Sequence, residues 1–372
     1  MNTQTPAPSS ARRDRRGRIR DRSLATTVAG LAIALSACTT GASPSNVVSA
    51  APTASIEPAM TATPSPSRSA APAFPTTLTD DEGTAVKLAA EPHKIVSLTP
   101  SATETLFALG VGDRVVGKVE DLSLYPPEAA AVPDVAKFGT VDVEKIVSLG
   151  TDLVIAGGNN FNPPDKIAQL RTLGVPVVVL YAPDVPTVFL DIELIGAAVG
   201  KAAEAKDMTT SMKAGFDQIQ AATTGLPKPR VFYEIDASQK IYTAADNSFL
   251  AAMIVLAGGS PITTGSTTNF EIPLETLITK DPEMILLGDA AYGTTADIVA
   301  ARPGWNVMTA VKAKAIKPVD DVVITRPGPR LVEGLRALAV AIHPDANLPS
   351  AAPAASGGAA TTGPAMSPSA AP

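Results

Sequence analysis

The chain has 372 residues, with 30 Lys plus Arg against 36 Asp plus Glu and a formal net charge of −6. That balance argues against nucleic-acid binding. Its single cysteine rules out an internal disulfide, so stability must come from an ordinary core, which a chain of this length can supply.

Residues 1–37 read as a secretory signal. Arg12, Arg13, Arg15, Arg16, Arg18, Arg20 and Arg22 precede an uncharged apolar run from Leu24 to Leu35. The run is shorter than the ~20 apolar residues a spanning helix needs. It leads through Ser36 and Ala37 into Cys38, and this order resembles the lipobox of bacterial lipoproteins. The resemblance implies cleavage before Cys38 and lipid on its thiol and new amine. Residues 38–92 are mostly Ala, Pro, Ser and Thr with little to bury, and read as a disordered, lipid-anchored tether. The same composition marks 346–372 as a disordered tail.

Between them, short apolar runs at 95–98, 115–117, 153–156, 177–181, 231–235, 284–287 and 316–319 alternate with helical patterns, predicting an α/β fold with mostly parallel sheets. A long helical stretch over 185–223, interrupted at Gly200, carries Met208, Met212, Phe216 and Ile219 at helical spacing and reads as the bridge between two lobes. The lobes echo each other. Val143-Glu144-Lys145-Ile146-Val147 and the following 152–157 match Leu274-Glu275-Thr276-Leu277-Ile278 and 283–288 in character at one fixed offset. A second echo pairs 106–110 with 253–257. The expected organisation is an N-terminal lobe over 93–184, a helical segment over 185–223 and a C-terminal lobe over 224–345. Ligands of such sheets bind beyond the carboxyl ends of the strands, which places a cleft between the lobes.

The loops at those ends carry the candidate binding residues. Ser101 and Glu104 have the spacing of a capping box, with Pro100 and Ser101 directed at the cleft beside free helix amides. Gly157-Gly158-Asn159-Asn160-Phe161 and Gly288-Asp289-Ala290-Ala291-Tyr292 end the matched strands. Their glycines allow close backbone approach, Asn159, Asn160 and Asp289 supply hydrogen bonds, and Phe161 and Tyr292 supply flat faces. The competing reading makes these residues turn formers only. Phe138, Tyr242, Asn269 and Phe270 are further cleft candidates, or local packing residues. Arg326, followed by prolines and Arg330, suits an arginine holding a carboxylate or phosphate, or else a structural ion pair; Arg330 reads as structural. No catalytic set assembles: His93 and His343 lack the neighbours for a triad or zinc site, and no nucleophile elbow, phosphate loop or dinucleotide fingerprint appears. A binding protein without catalytic residues, resident metal or cofactor is expected. Haem ligation by Tyr242 or Tyr292 stays open.

The run Ile95-Val96-Ser97-Leu98-Thr99-Pro100-Ser101-Ala102-Thr103-Glu104, then Tyr125-Pro126-Pro127, then Val143 to Val147 with Asp152 to Ile155, and finally Arg326-Pro327-Gly328-Pro329-Arg330-Leu331-Val332, resembles the helical-backbone binding proteins that receive vitamin B12, iron-siderophores or haem for ABC importers. The resemblance spans 93–345. It implies two lobes joined by one long rigid helix, a small-molecule ligand, a monomer tethered outside the cell membrane, and Glu144 and Glu275 as docking points for the importer's permease dimer. The nearest branch is the cobalamin-binding one, through the Tyr-Pro-Pro and Arg-Pro-Gly-Pro-Arg segments. Its several cleft tryptophans are absent; the one Trp is Trp305, and Phe138 stands where one of them would fall. The expected ligand is vitamin B12 or another corrinoid, with an iron-siderophore or haem as the alternative. From a different class, a cell-surface lipoprotein enzyme or structural module could reuse the fold.

Overall fold

The computed structural model describes residues 74–123, 125–159 and 161–349. The expectations for the signal segment, Cys38, Asn160 and the tail from 350 onward lie outside the described residues.

The first described element corrects the tether boundary. Strands β1 (Thr76–Thr79) and β2 (Ala85–Leu88) form an antiparallel hairpin within the span expected to be tether. Val86 and Leu88 alternate with exposed residues and are buried in the core, the period-two pattern of a half-covered strand. Composition hid this, because a short hairpin needs only two or three inward side chains.

The N-terminal lobe holds β3 (Ile95–Ser97), α1 (Pro100–Ala108), β4 (Val115–Val119), β5 (Asp134–Lys137), β6 (Thr140–Val141), α2 (Val143–Ser148), β7 (Leu153–Gly157), α3 (Pro164–Thr172) and β8 (Val177–Leu180). The sheet order is β6-β5-β4-β3-β7-β8, parallel except for β5 with β6. Strands β5 and β6 were not foreseen; they are short and lie at the sheet's edge. At the other edge the hairpin tip closes β8: Asp81 N donates to Val179 O, Val179 N to Asp80 and Tyr181 N to Asp81. An otherwise open strand edge is thereby covered.

Helices α4 (Val185–Ala198) and α5 (Ala202–Thr223) follow, separated at Gly200, whose φ of +78° is left-handed. On α5, Ala205, Thr209, Met212, Phe216, Ile219 and Thr223 form one buried stripe. The C-terminal lobe contains β9 (Arg230–Glu234), α6 (Phe249–Leu256), β10 (Ser260–Pro261), α7 (Leu274–Lys280), β11 (Met284–Leu287), α8 (Ala296–Ala300), α9 (Thr309–Lys312), β12 (Ile316–Pro318), α10 (Asp321–Thr325) and α11 (Leu331–Ile342). Its all-parallel sheet runs β10-β9-β11-β12. The echo in sequence is an echo in structure: α2 with β7, and α7 with β11, occupy corresponding places.

Each lobe has a private apolar cluster on the outer face of its sheet, one around Val96, Ile146 and Val154, the other around Phe232, Ile285 and Trp305. A third cluster is shared: Ile95 and Leu106 of the first lobe, Ile192 and Phe216 of α4 and α5, and Val231, Ile254 and Leu338 of the second lie in one buried body. Leu348, expected in the tail, also packs against it.

Candidate functional site

In the first lobe, the loop after β7 is built on packing. A Cβ on Gly157 would stand 2.7 Å from Thr99 Cγ2 and 3.0 Å from the Phe161 ring, so this glycine makes room for protein side chains. Gly288, its counterpart after β11, would meet the Tyr233 ring at 2.5 Å. The expectation that these glycines admit a ligand is corrected accordingly. Asn162, which the sequence did not single out, is buried and ties the loop down: its Nδ2 donates to Leu98 O and its Oδ1 accepts from Gly157 N. The loop thereby presents Asn159, exposed with φ at +51°, and Phe161, whose ring meets Phe138 edge-on at 5.6 Å. Phe138 itself is 82% exposed.

In the second lobe the loop after β11 splits its roles. Tyr292, in a short 3-10 turn, is 87% exposed, whereas Asp289 is buried. Asp289 Oδ2 accepts from Thr294 Oγ1 at 2.7 Å, and its Oδ1 is buried without a hydrogen-bond partner. Beside it Glu234, wholly buried at the end of β9, accepts both Nη atoms of Arg302 at 2.7 Å. Burial raises the Glu234 carboxyl and the Asp289 neighbour raises it further, against the pull of Arg302. Burial also raises Asp321, although Tyr233 Oη donates to it at 2.7 Å. Arg302 lies 4.6 Å from the ring centre of Trp305, which is buried against Phe232. The lone tryptophan is thus a core residue. Tyr242 is half-buried and bridges Asp236 and Glu271 through its backbone, while Phe270 and Asn269 are exposed nearby.

Glu104 is the main correction. Thr99, not Ser101, caps α1, accepting from Ala102 N at 3.2 Å, with Pro100 at the first helical position. Glu104 does not reach back to the helix start. It is buried and receives two arginines from the other lobe: Arg326 Nη1 at 2.6 Å, and Arg330 Nη2 at 2.7 Å. Arg326 also donates to Asp121, and the Arg330 guanidinium stacks 3.6 Å above the Tyr125 ring. The loop holding both arginines sits on the start of α1, where a Cβ on Gly328 would stand 3.5 Å from Ser101 Cβ. Of the two readings of Arg326, the ion pair is the one seen, with protein carboxylates as partners. These partners are over two hundred residues apart in sequence, so no local pattern could announce them.

Glu144 and Glu275 lie exposed in the first turns of α2 and α7 and form no ion pair among the described residues. No group of three or more His, Cys, Asp or Glu among the described residues is placed to hold a metal ion. No described helix is long and apolar enough to cross a membrane.

The family model described as periplasmic binding protein matches residues 95–322. The chain is 35% identical over 252 residues to an ABC transporter substrate-binding lipoprotein, YvrC, of Bacillus subtilis, covering 66% of this chain and 79% of that one. It is 32% identical over 230 residues to a cobalamin-binding protein of Halobacterium salinarum, covering 59% and 60% of the two chains. The periplasmic haem-binding protein RhuT from Roseiflexus superposes with a TM-score of 0.60 at 26% identity, over 68% of this chain and 98% of that one.

Proposed function

The chain belongs to the periplasmic binding protein family as a substrate-binding receptor of an ABC importer, and we propose that the ligand it delivers is a corrinoid held between its lobes. The observation that carries this reading is the pair Phe138 and Tyr292, 82% and 87% exposed, one on each lobe, beside the loops that end the matched strands. Large aromatic faces left open at the ligand end of two sheets suit a broad, flat, partly apolar molecule. Phe161 and Phe270 extend those faces, and Asn159, Asn160, Pro100, Ser101, Tyr242, Asp289 and Arg326 are the proposed polar and backbone surroundings. The likeness to a cobalamin-binding relative supports the corrinoid over other bulky ligands. In this reading a lipid on Cys38 keeps the receptor at the membrane, and Glu144 and Glu275 dock it on the permease dimer.

Thermal shift and calorimetry of the purified protein against cyanocobalamin, dicyanocobinamide, haem and ferric siderophores test the proposal. Stabilisation by the two corrinoids is the expected result. Stabilisation by haem or a siderophore alone would replace it with that ligand.

A further inference from the structure

At the ligand end of the sheets, two arginines of one lobe meet two carboxylates of the other and cancel them. Arg326 Nη1 donates to Glu104 Oε1 at 2.6 Å, to Asp121 Oδ2 at 2.9 Å and to Ser123 Oγ at 3.1 Å, and its Nη2 donates to Asp121 Oδ1 at 3.1 Å. Arg330 gives Nε and Nη2 to the two oxygens of Glu104 at 3.0 and 2.7 Å. Burial pushes the Asp121 carboxyl up, but the hydrogen bonds and charge of Arg326 and the donors of Ser123 outweigh it and hold the carboxyl below its usual range. One further carboxyl, Glu333 in the first turn of α11, faces Arg330, and burial raises it. The network therefore sums to zero, or to a negative charge when Glu333 is ionised.

Three further cations are engaged as well: Arg302 is paired with Glu234, Lys118 with Asp134 and Lys137 with Glu120. The Glu104 side chain is only 2% exposed, while those of Asp121, Arg326 and Arg330 retain 12%, 15% and 14%, so the edge of the network faces outward with its charges already matched.

Building on the corrinoid reading, we propose that this neutralised network makes the cleft a charge filter, accepting a ring ligand with neutral amides at its periphery and rejecting one with free carboxylates. A ligand carboxylate reaching Arg326 comes up beside the Asp121 carboxylate and close to Glu104, whose charges the two arginines already match. Such like-charge contacts are the repulsive element of a specific site. An amide brings no such charge; its NH2 donates to the Asp121 edge and its carbonyl accepts from an outward guanidinium N–H.

Two pairs of probes differ in peripheral charge alone to first order: dicyanocobinamide against the corrin carrying free carboxylates, dicyanocobyrinic acid, and haem dimethyl ester against haem. Calorimetry on the wild-type protein should favour the uncharged member of each bound pair by about tenfold or more. In Asp121→Asn, which frees donors on Arg326 and adds one positive charge, that ratio should fall severalfold. Equal affinities within a pair, preference for the carboxylate member, or an unchanged ratio in a folded Asp121→Asn protein would overturn the filter. If that variant does not fold, the wild-type ratios decide. Binding of the haem pair without the corrin pair would end the corrinoid reading while the ester-to-acid ratio still judged the filter; binding of none of the four would overturn both.

Discussion

Asp191 sits on α4 with only 8% of its surface exposed, and its Oδ1 has no hydrogen-bond partner. Its carboxyl is pushed up to about 8, first by burial and then by Asp81 of the hairpin tip and Asp184. The folded chain thus keeps a proton that the unfolded chain releases near pH 4. Between about pH 4 and 8 the folded state binds more protons than the unfolded one, so this group's contribution to stability is full at low pH and is lost as pH rises through the window. Asp191→Asn should remove that slope and raise the melting temperature at pH 8, with a gain of roughly 2–5 kcal/mol as an upper range. Denaturant melts of both proteins from pH 4 to 9 check it, and parallel pH profiles would refute it. Phe138→Ala and Tyr292→Ala belong to the same scale. Each truncates an exposed ring, so stability should barely move, while ligand affinity should drop by about 1–3 kcal/mol if the ring is an anchor. Calorimetry with the ligand that the thermal screen identifies reads this directly.

The β1–β2 hairpin is an element whose removal has a defined consequence. It buries Val86 and Leu88, pairs Asp80 with Arg171 and covers the backbone edge of β8. A chain starting at residue 93 should lose about 3 kcal/mol of stability relative to one starting at residue 74. It should also self-associate through the opened β8 edge. Equal melting temperatures and a clean monomer on light scattering for both chains would count against that role. Helices α2 and α7 carry the other element-scale prediction. Glu144 and Glu275 hold equivalent first-turn positions, where the helix dipole alone favours a carboxylate. Duplication and exposure suit two docking points on a permease dimer, with charge steering the encounter. The double variant Glu144→Arg, Glu275→Arg should bind ligand and melt like the wild type yet fail to stimulate the importer's ATPase. Normal stimulation by a folded double variant would reduce both glutamates to helix-start charges.

For the whole molecule, the shared core through α1, α4, α5, α6 and α11 means that the lobes cannot separate without exposing buried apolar surface, so closure on a ligand should be small. Cys38→Ala should leave this body folded but move the protein from the membrane fraction to the soluble one, or stall its processing; quantitative retention of a correctly sized product in membranes would rule out the anchor. The alternating α/β pattern, the two related half-sheets, the break at Gly200 and the buried stripe on α5 were all legible in the sequence, because hydrophobic period and repeat offset are local properties that packing merely uses. From the sequence, Tyr292 falls in the loop after a matched strand and Phe138 and Phe270 in irregular loops, and all three side chains are exposed. What the sequence alone could not determine was which polar residues find each other. Glu104 reads locally as half of a capping box, yet two arginines more than two hundred residues away claim it; Glu234 and Arg302 carry no signal at all until β9 and the segment after α8 are brought together. Burial decides such pairings, since a carboxylate removed from water takes the best partner the fold supplies, and only the tertiary structure says which partner that is.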